Sequence, residues 1–281
     1  MRRSLLFIPA NTPNMMDNAF IFNADSIIFD LEDSVINKSE AKNLLKEYLN
    51  NLKEKPAEII IRINDYDIND LTFLPKNVDT IMLPKATIES TTALSNYILK
   101  NNLGYKIIPI IEQAVSLIEA NEIAKIKLVD GILLGAEDLA TDLNVLRTKE
   151  SLEIFYARSL IVIAAKANKI DAIDTPYTNI NDLEGLKVDT MFAKSLGFNA
   201  KACIHPNQVD VVNRALMPTT EELHFAKRVI EAAKTNKGAF RLDNKMIDKP
   251  IIERAKNLVE NAKKWGILWF YMVIKTQICA M

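Results

Sequence analysis

The sequence predicts an α/β protein: a (β/α)8 TIM barrel with a C-terminal helical extension. Three observations predict this fold class. Eight short apolar runs each stop on a polar or charged residue, helical periodicity recurs between the runs, and the length of 281 residues accommodates one barrel of roughly 250 residues. An open doubly wound sheet is the alternative, but eight units of similar length would make such a sheet unusually wide.

The strands are predicted from the apolar runs, whose polar ends lie near residues 9, 30, 62, 84, 112, 137, 174 and 205. A parallel strand that is buried on both faces reads as a continuous apolar run. Barrel enzymes keep their chemistry at the carboxyl ends of such strands, so the polar residues there are the site candidates. In order, the runs read SLLFIPAN, SIIFDLED, EIIIRIN, TIMLPK, KIIPIIE, GILLGAED, DAIDTP and ACIHP.

The helices are predicted from apolar stripes between the runs. Residues 39–53 place apolar side chains at i, i+3, i+4 and i+7, as expected for a helix packed on a sheet. Residues 207–216 are predicted to form the last barrel helix, which Pro218 ends. The helical spacing recurs less regularly in residues 86–100, 114–126, 150–168 and 190–196.

The chain after the barrel is predicted to be helical. The capping box Thr219-x-x-Glu222 opens a helix through about Lys234, and Pro250 precedes another helical stretch to Lys264. No strand pattern is recognised in this part of the sequence. We therefore predict a barrel domain at residues 1–218 and a helical extension at residues 219–281.

The composition excludes several classes of partner. Hydrophobic residues make up 49%, charged residues 25%, and the formal charge of −1 comes from basic and acidic residues spread along the chain, so no nucleic-acid partner is expected. Pro9 interrupts the first apolar run, and residues 265–274 are too few to span a bilayer, so no membrane role is expected. Cys203 and Cys279 form neither a CxxC motif nor a disulfide framework, which favours a reducing, cytoplasmic compartment.

The chain also lacks the sequence signatures of several chemistries. Its seven glycines form no GxGxxG, GxxxxGK[ST] or GxSxG motif, so nucleotide cradles and a nucleophile elbow are not indicated. Two histidines are too few for a His-rich zinc site. We interpret His205, at the end of ACIHP, as a supporting residue beside the site, and His224 as a surface or packing residue. Chemistry that uses the oxygen atoms of acidic side chains therefore remains.

Carboxylates follow two neighbouring strands. Glu112 ends the fifth run, and the sixth run supplies Glu137 and Asp138. Such carboxylates at a barrel mouth suit a hard cation such as Mg²⁺, and chelation of a 2-oxo or 2-hydroxy acid fits this arrangement. An ion pair or a helix N-cap is the alternative role, which we favour for Glu137 and Asp142. This alternative is weaker for Glu112, because a carboxylate that ends an apolar run is a buried charge in need of a partner.

Two basic residues lie at strand ends as well. Arg62, in EIIIRIN, could grip a carboxylate or stabilise an oxyanion, and it could also form a rim salt bridge with Glu32 or Asp33. Both roles are compatible. Lys85, in TIMLPK, is interpreted as rim support, because a Schiff-base lysine needs a lowered pKa in an apolar pocket.

Taken together, these segments resemble the citrate lyase β-subunit group of the HpcH/HpaI aldolase superfamily. The resemblance covers residues 2 to about 255 in order, at every strand end. It is carried by RRSLLFIPANTPNMM, ADSIIFDLEDSV, IIRIN, MLPK, IIPIIE, GILLGAEDLATDL, RSLIVIAAKANKIDAIDTPYT, LGFNAKACIHPNQVDVVN and MPTTEEL.

The resemblance implies a Mg²⁺-dependent carbon–carbon lyase that acts on an acyl thioester and assembles as a trimer or hexamer. It implies that Glu112 and Asp138 bind the metal, and that Arg62 contacts the oxo-acid. It further implies substrate contacts from Arg62, Glu112 and residues 135–137 (Gly135, Ala136 and Glu137). The thioester carrier, CoA or an acyl-carrier protein, is expected to bind through Arg2 or Arg3. The C-terminal extension is expected to act as an oligomer contact or a lid.

The general base is left open at this point: Glu32, Asp33 and Asp174 are all candidates, and each could equally be a structural carboxylate. Two other functions compete with an autonomous lyase. One is a subunit that needs acyl-carrier and transferase partners, with residues 265–274 as a partner contact. The other is a pyruvate-type aldolase on free acids, which uses a histidine base that this histidine-poor sequence hardly provides.

Overall fold

The computed structural model describes residues 2–64, 71, 73–236 and 238–265. Eight parallel strands close into one barrel in sequence order, from β1 next to β2 through to β8 next to β1. This confirms the predicted (β/α)8 TIM barrel. Each predicted apolar run contains one strand: β1 Ser4–Pro9, β2 Ser26–Asp30, β3 Glu58–Arg62, β4 Thr80–Leu83, β5 Lys106–Ile111, β6 Gly131–Leu134, β7 Asp171–Asp174 and β8 Ala200–Cys203.

Helices surround the barrel between the strands. They are α1 Pro13–Asp17, α2 Lys38–Asn51, α3 Ile88–Lys100, α4 Ala114–Ile118, α5 Ala120–Ala124, α6 Ala136–Asp142, α7 Phe155–Asn168, α8 Leu183–Leu196 and α9 Pro206–Leu216, with short 3-10 helices at Ala19–Phe22 and Leu152–Ile154. The β3–β4 connection contains no helix in its described residues 63, 64, 71 and 73–79.

The helix bounds differ clearly from the sequence prediction at three places. The helix predicted over 150–168 begins only at Phe155, after the 3-10 helix Leu152–Ile154. The predicted helix over 114–126 is two short helices, α4 and α5, separated at Glu119. The helix predicted at 190–196 starts earlier, at Leu183, because the side chain of Asp182 caps it by accepting a hydrogen bond from the Gly185 N–H.

The pleat of the strands separates two apolar cores. Ile28, Ile60 and Leu133 belong to a compact cluster that fills the barrel interior. Their neighbours along the strands, such as Phe29 and Ile61, belong to the larger core between the sheet and the helices. Because successive side chains of a strand point to opposite faces, every second residue of each strand faces inward. This alternation decides which polar residues at the strand ends reach the barrel mouth.

The contacts of the chain divide it into two units, one up to Leu216 and one from Met217. In the second unit, α10 Thr220–Thr235 begins with the predicted Thr219–Glu222 capping box, and α11 Lys249–Lys264 begins at the predicted proline. The prediction of a purely helical extension was wrong, because a hairpin of β9 Phe240–Leu242 and β10 Lys245–Ile247 lies between these helices. Its two turn residues both have positive φ, as a two-residue hairpin turn requires, and Asp-Asn is a weaker turn signal than Asn-Gly.

Candidate active site

The strand pleat brings three polar side chains to the carboxyl-terminal mouth of the barrel: Arg62, Glu112 and Asp30. Arg62 lies two residues beyond Ile60, and Glu112 lies two residues beyond Ile110, so both continue the inward-facing rows of the interior cluster. Asp30 stands in the same phase on β2 after Ile28. Asp30 was not among the predicted site residues, although its spacing of two from the interior residue Ile28 was the available signal.

Arg62 is held by three carboxylates. Its Nε and Nη2 donate to the two carboxylate oxygens of Asp30 at 2.6 and 2.7 Å, a bidentate pair. Its Nη1 lies 3.0 Å from Glu32 Oε2 and 3.3 Å from Asp33 Oδ2, so both predicted rim partners are present. Its guanidinium also lies 5.0 Å from the ring centroid of Phe7.

These contacts shift the pKa values of Arg62 and Asp30. Burial alone lowers the pKa of Arg62 and raises that of Asp30, since it disfavours the charged forms. Their mutual hydrogen bonds and opposite charges outweigh burial, so the pKa of Arg62 is raised and that of Asp30 is lowered. Arg62 is therefore a permanent, oriented positive charge at the mouth.

Glu112 is a buried carboxylate, with 4% of its surface exposed. Its Oε1 accepts a hydrogen bond from the backbone N–H of Lys85. Burial raises the pKa of Glu112 to about 7, and the nearby negative charges of Asp138 and Glu32 add to this effect. A desolvated carboxylate among other carboxylates is an environment that a bound cation would stabilise.

Gly135 allows Glu112 to take this position. A Cβ atom on residue 135 would lie 2.6 Å from Glu112 Cβ and 2.7 Å from Glu112 Oε2. The residue is the N-cap of α6, with φ of −89°, so close approach and not a positive φ explains the glycine. The predicted substrate residues Gly135 and Ala136 thus lie beside Glu112, at the start of the helix that carries Asp138.

The carboxylates of α6 have different surroundings. Asp138 is exposed in the first turn, and its charge reaches Glu112, whose pKa it raises. Glu137 Oε1 lies 3.0 Å from Arg147 Nε in an ion pair. Asp142 accepts a hydrogen bond of 2.7 Å from the Ala114 N–H at the start of α4. The structural roles favoured for Glu137 and Asp142 are therefore observed.

The open candidates for the general base are separated by the structure. Glu32 is buried beside Arg62, and burial raises its pKa to about 7, despite the opposing charge of Arg62. Asp33 is exposed. Asp174 follows the inward-facing Ile173 and so faces outward, where its carboxylate is buried with Arg158 and Lys201. Asp174 is therefore a structural residue and not a base at the mouth.

Arg2 and Arg3 lie at the opposite end of the barrel from Arg62 and Glu112, and both form ion pairs within the barrel, so these contacts do not support the predicted carrier-binding role. They precede β1. Arg2 is buried in ion pairs with Glu58 (2.6 Å), Asp171 (2.9 Å) and Asp130 (3.1 Å), all at the amino-terminal ends of strands. Arg3 is paired with Asp25, directly before β2. Their charge serves to neutralise the bottom of the barrel.

The remaining basic residues at the mouth are supporting ones. Lys85 is exposed, with its Nζ 3.9 Å from Glu32 Oε1, and its backbone N–H holds Glu112. This matches the rim role interpreted from the sequence. His205 accepts a hydrogen bond of 3.2 Å from the Asn207 N–H at the start of α9, and His224 is exposed on α10. Neither histidine is placed with Arg62 and Glu112 by any of these contacts.

A cavity of about 410 Å³ opens at the mouth beside Arg62. Its wall combines apolar side chains with Arg62 and two of its acidic partners, Asp30 and Asp33, so Arg62 is the one positively charged side chain among the described lining residues. Among the described helices, none is long and apolar enough to cross a membrane. The cavity is lined by Phe7, Pro9, Met15, Asp30, Asp33, Ser34, Arg62, Pro176 and Ile204.

Comparison with known proteins agrees with this geometry. A family model described as HpcH/HpaI aldolase/citrate lyase matches residues 3–206. The chain is 36% identical to the citrate lyase subunit beta of Haemophilus influenzae over 94% of this chain and 97% of the relative. It is 30% identical to the mitochondrial citramalyl-CoA lyase of Homo sapiens over 92% and 84% of the two chains. The crystal structure of CitE from Mycobacterium tuberculosis, in complex with magnesium, acetoacetate and coenzyme A, is similar with a TM-score of 0.80 and 31% identity, over 93% and 98% of the two chains.

Proposed function

This chain belongs to the HpcH/HpaI aldolase/citrate lyase family, and on that premise we propose that it is a Mg²⁺-dependent carbon–carbon lyase. Its substrate is a 3-hydroxyacyl thioester of the citryl, malyl or citramalyl type, and its products are an oxo-acid and an acetyl thioester. One observation carries the proposal: Arg62 and Glu112 face inward at the same end of the barrel, with the charge of Asp138 beside Glu112. The relatives named as lyases and the CitE complex with magnesium, acetoacetate and coenzyme A support it.

Glu112 and Asp138 are the residues that would hold the metal. Their oxygen donors suit Mg²⁺, and the burial of Glu112 leaves a charge that a cation would compensate. In the described part of the chain, no three acidic, histidine or cysteine side chains are grouped to hold an ion. Two carboxylates would suffice, because Mg²⁺ in proteins usually keeps several of its coordination positions for water and substrate. When bound, Mg²⁺ supplies Lewis-acid charge to the oxygens of the oxo-acid.

The protein residues have defined tasks in this reaction. A base removes the proton of the 3-hydroxyl group, the C2–C3 bond breaks, and the hydroxyl carbon becomes the carbonyl of the oxo-acid. The electron pair of the broken bond forms the enolate of the acetyl thioester, which then takes up a proton. Arg62 stabilises the negative charge of the oxo-acid, because its guanidinium stays charged and is oriented by Asp30. Glu32 is the proposed base, since it is buried beside Arg62 and its pKa of about 7 suits proton transfer near neutral pH.

Turnover of defined thioesters tests the lyase. Purified protein with Mg²⁺ is incubated with citryl-CoA, malyl-CoA and citramalyl-CoA, and release of the oxo-acid is followed. We expect cleavage of at least one of them. If no thioester is cleaved, with or without an acyl-carrier protein, the lyase proposal is refuted.

Matched variants on α6 test the metal assignment. Asp138→Asn should abolish Mg²⁺ binding in calorimetry, because it removes one of two anionic ligands. Asp142→Asn is the control, since it makes the same chemical change one turn along the helix, where the carboxylate caps α4. Equal Mg²⁺ affinities of the two variants would show that Asp138 is not a ligand. Arg62→Lys should weaken oxo-acid binding and leave Mg²⁺ binding intact.

Two other functions remain outcomes of these tests. Cleavage only after addition of acyl-carrier and transferase proteins would indicate a dependent subunit, a possibility raised by the similarity to citrate lyase subunit beta. Cleavage of free 4-hydroxy-2-oxo acids instead of thioesters would indicate a pyruvate-type aldolase. The contacts that place Asp30, Glu32 and Arg62 together without a histidine favour the thioester lyase.

We further propose that the chain forms a homotrimer or hexamer in the cytoplasm. Apolar side chains on the outer faces of α7 and α8 support a contact between copies, because Tyr156 and Val188 are 71% and 66% exposed and Phe155 adjoins Phe192 at 6.1 Å. The partner contact predicted for residues 265–274 falls outside the described residues, apart from Trp265. Light scattering of the protein as it elutes from a size-exclusion column measures the mass of the oligomer, and a monomeric mass would refute the proposed homotrimer or hexamer.

A further inference from the structure

A buried group of charges lies behind the barrel wall, outside the candidate site. Arg158 of α7 pairs with Asp174 at 2.9 Å and with Asp189 of α8 at 2.8 Å. Lys201 of β8 pairs with the same two carboxylates, at 2.5 Å from Asp174 and 2.7 Å from Asp189. The two positive and two negative charges balance, as burial requires. The group binds the end of β7 firmly to β8 and to the helices.

This group also holds the residue that follows β7. Lys201 Nζ donates a hydrogen bond of 2.8 Å to the backbone carbonyl of Thr175. Thr175 is buried, with 1% of its surface exposed. It lies two residues beyond the inward-facing Ile173, so its side chain is directed to the side of the barrel mouth. Its backbone is thus fixed from behind while its hydroxyl group points toward the neighbouring β6–α6 connection.

The hydroxyl group of Thr175 caps α6 from outside the helix. Thr175 Oγ1 accepts a hydrogen bond of 3.3 Å from the backbone N–H of Ala136, the first residue of α6. The first N–H groups of a helix have no partner within it, and the N-cap residue here is Gly135, which has no side chain to supply one. Gly135 itself donates from its N–H to the Ile111 carbonyl at 3.0 Å. The start of α6 is therefore anchored to β5 by one bond and to β7 by the other.

We propose that Thr175 is a positioning residue for Asp138: its hydroxyl group holds the first turn of α6 so that the Asp138 carboxylate stays beside Glu112. The inference rests on the proposed function, in which these two carboxylates bind Mg²⁺. Asp138 lies only two residues after Ala136, so a shift of the first turn moves the carboxylate directly. Thr175 does not contact the metal or the substrate in this proposal, and its role is exerted through the backbone of α6.

Three threonine variants test this role. Thr175→Val replaces the hydroxyl group with a methyl group of similar size and keeps the backbone bond to Lys201, whereas Thr175→Ser keeps the hydroxyl group. Thr190→Val is the matched control, because Thr190 is also buried and donates its hydroxyl to the Leu186 carbonyl within its own helix, α8. All three keep the candidate ligands unchanged.

Calorimetric Mg²⁺ binding is the first measurement. We expect Thr175→Val to lose about 3- to 10-fold in Mg²⁺ affinity, the range that corresponds to one hydrogen bond. Thr175→Ser and Thr190→Val should bind Mg²⁺ as the wild type does. Wild-type affinity of Thr175→Val, or an equal loss in Thr190→Val, overturns the inference.

Amide hydrogen exchange of the metal-free protein is the second measurement. Thr175→Val should speed exchange in the first turn of α6, and Thr190→Val should leave it unchanged. Unchanged exchange of α6 in Thr175→Val also overturns the inference. If the wild type bound no Mg²⁺ at all, the proposed function would fail, and hydrogen exchange would still decide whether Thr175 holds this helix.

Discussion

The close approach of Gly135 to Glu112 makes Gly135→Ala a sharp test of the site geometry. The added methyl group would lie 2.6 Å from Glu112 Cβ, 2.7 Å from Glu112 Oε2 and 2.9 Å from Ile110 Cγ2. Carbon atoms in good contact are roughly 3.5–4.0 Å apart, so Glu112 or the start of α6 must move by about 1 Å. The backbone angles of residue 135 suit alanine, so the effect comes from this clash and not from backbone strain.

We expect two consequences of Gly135→Ala. The protein should lose about 1–3 kcal/mol of unfolding free energy, as is typical for one surplus carbon in a packed region. Mg²⁺ affinity should fall by about tenfold or more, because a displacement of about 1 Å would move Glu112, a proposed metal ligand, out of its position in the site. Urea unfolding and calorimetry measure the two effects.

Gly131→Ala is the control for this prediction. It adds the same methyl group at the other end of β6, where the nearest atoms, Ile173 Cδ1 and Asp171 Cβ, would lie 3.2 and 3.3 Å away. A shift of a few tenths of an ångström accommodates it, so Mg²⁺ affinity should stay at the wild-type value. If Gly135→Ala also bound Mg²⁺ as the wild type does, the packing of Glu112 against residue 135 would not determine the site.

Two further predictions concern stability and pH. In metal-free buffer, Glu112→Gln should stabilise the protein by up to about 3 kcal/mol at pH 8 and by little at pH 4. The reason is that the pKa of Glu112 rises from 4.5 to about 7 on folding, so its ionisation costs folding free energy as the pH rises through that window. Urea unfolding at both pH values measures this, and equal stabilisation at both would contradict it. Arg2→Ala should cost about 3–5 kcal/mol at pH 7, because three carboxylates lose a buried partner. The hydrogen bond to Arg2 lowers the pKa of Glu58 despite burial. The loss of unfolding free energy in Arg2→Ala should therefore be fully present above pH 4.5 and shrink in unfolding curves recorded as the pH falls below that value. A loss that stays constant with pH would argue for lost packing instead.

The barrel was predictable because its signals are local. Each strand is an apolar run that is followed within a few residues by a polar or charged residue. A capping box such as Thr219–Glu222 spans only four residues. The errors have local causes too. Glu119 interrupts the predicted helix between α4 and α5, and the hairpin of β9 and β10 has strands of three residues, too short to show an alternating pattern.

The site was predictable in its residue types and only partly in its membership. Arg62, Glu112 and Asp138 were expected together, and the structure places the first two in inward phase and the third close enough to affect Glu112. Arg2 was expected to contact the carrier, and it lies at the opposite end of the barrel from Arg62 and Glu112, in ion pairs with carboxylates. Asp174 matched that of a base but faces outward.

By itself, the sequence determined the order of strands and helices, the closed parallel barrel and the residue types that its carboxyl ends present. Those properties depend on hydrophobic periodicity, which neighbouring residues already contain. Only the tertiary structure decided which charged residues lie together at the barrel mouth and which are neutralised between the sheet and the helices. It also decided which glycine the Glu112 carboxylate packs against. These outcomes depend on pleat phase and on contacts such as Arg2 with Asp171 or Thr175 with Ala136, between residues far apart in the chain. Such contacts exist only in the closed barrel, so a local sequence pattern does not predict them.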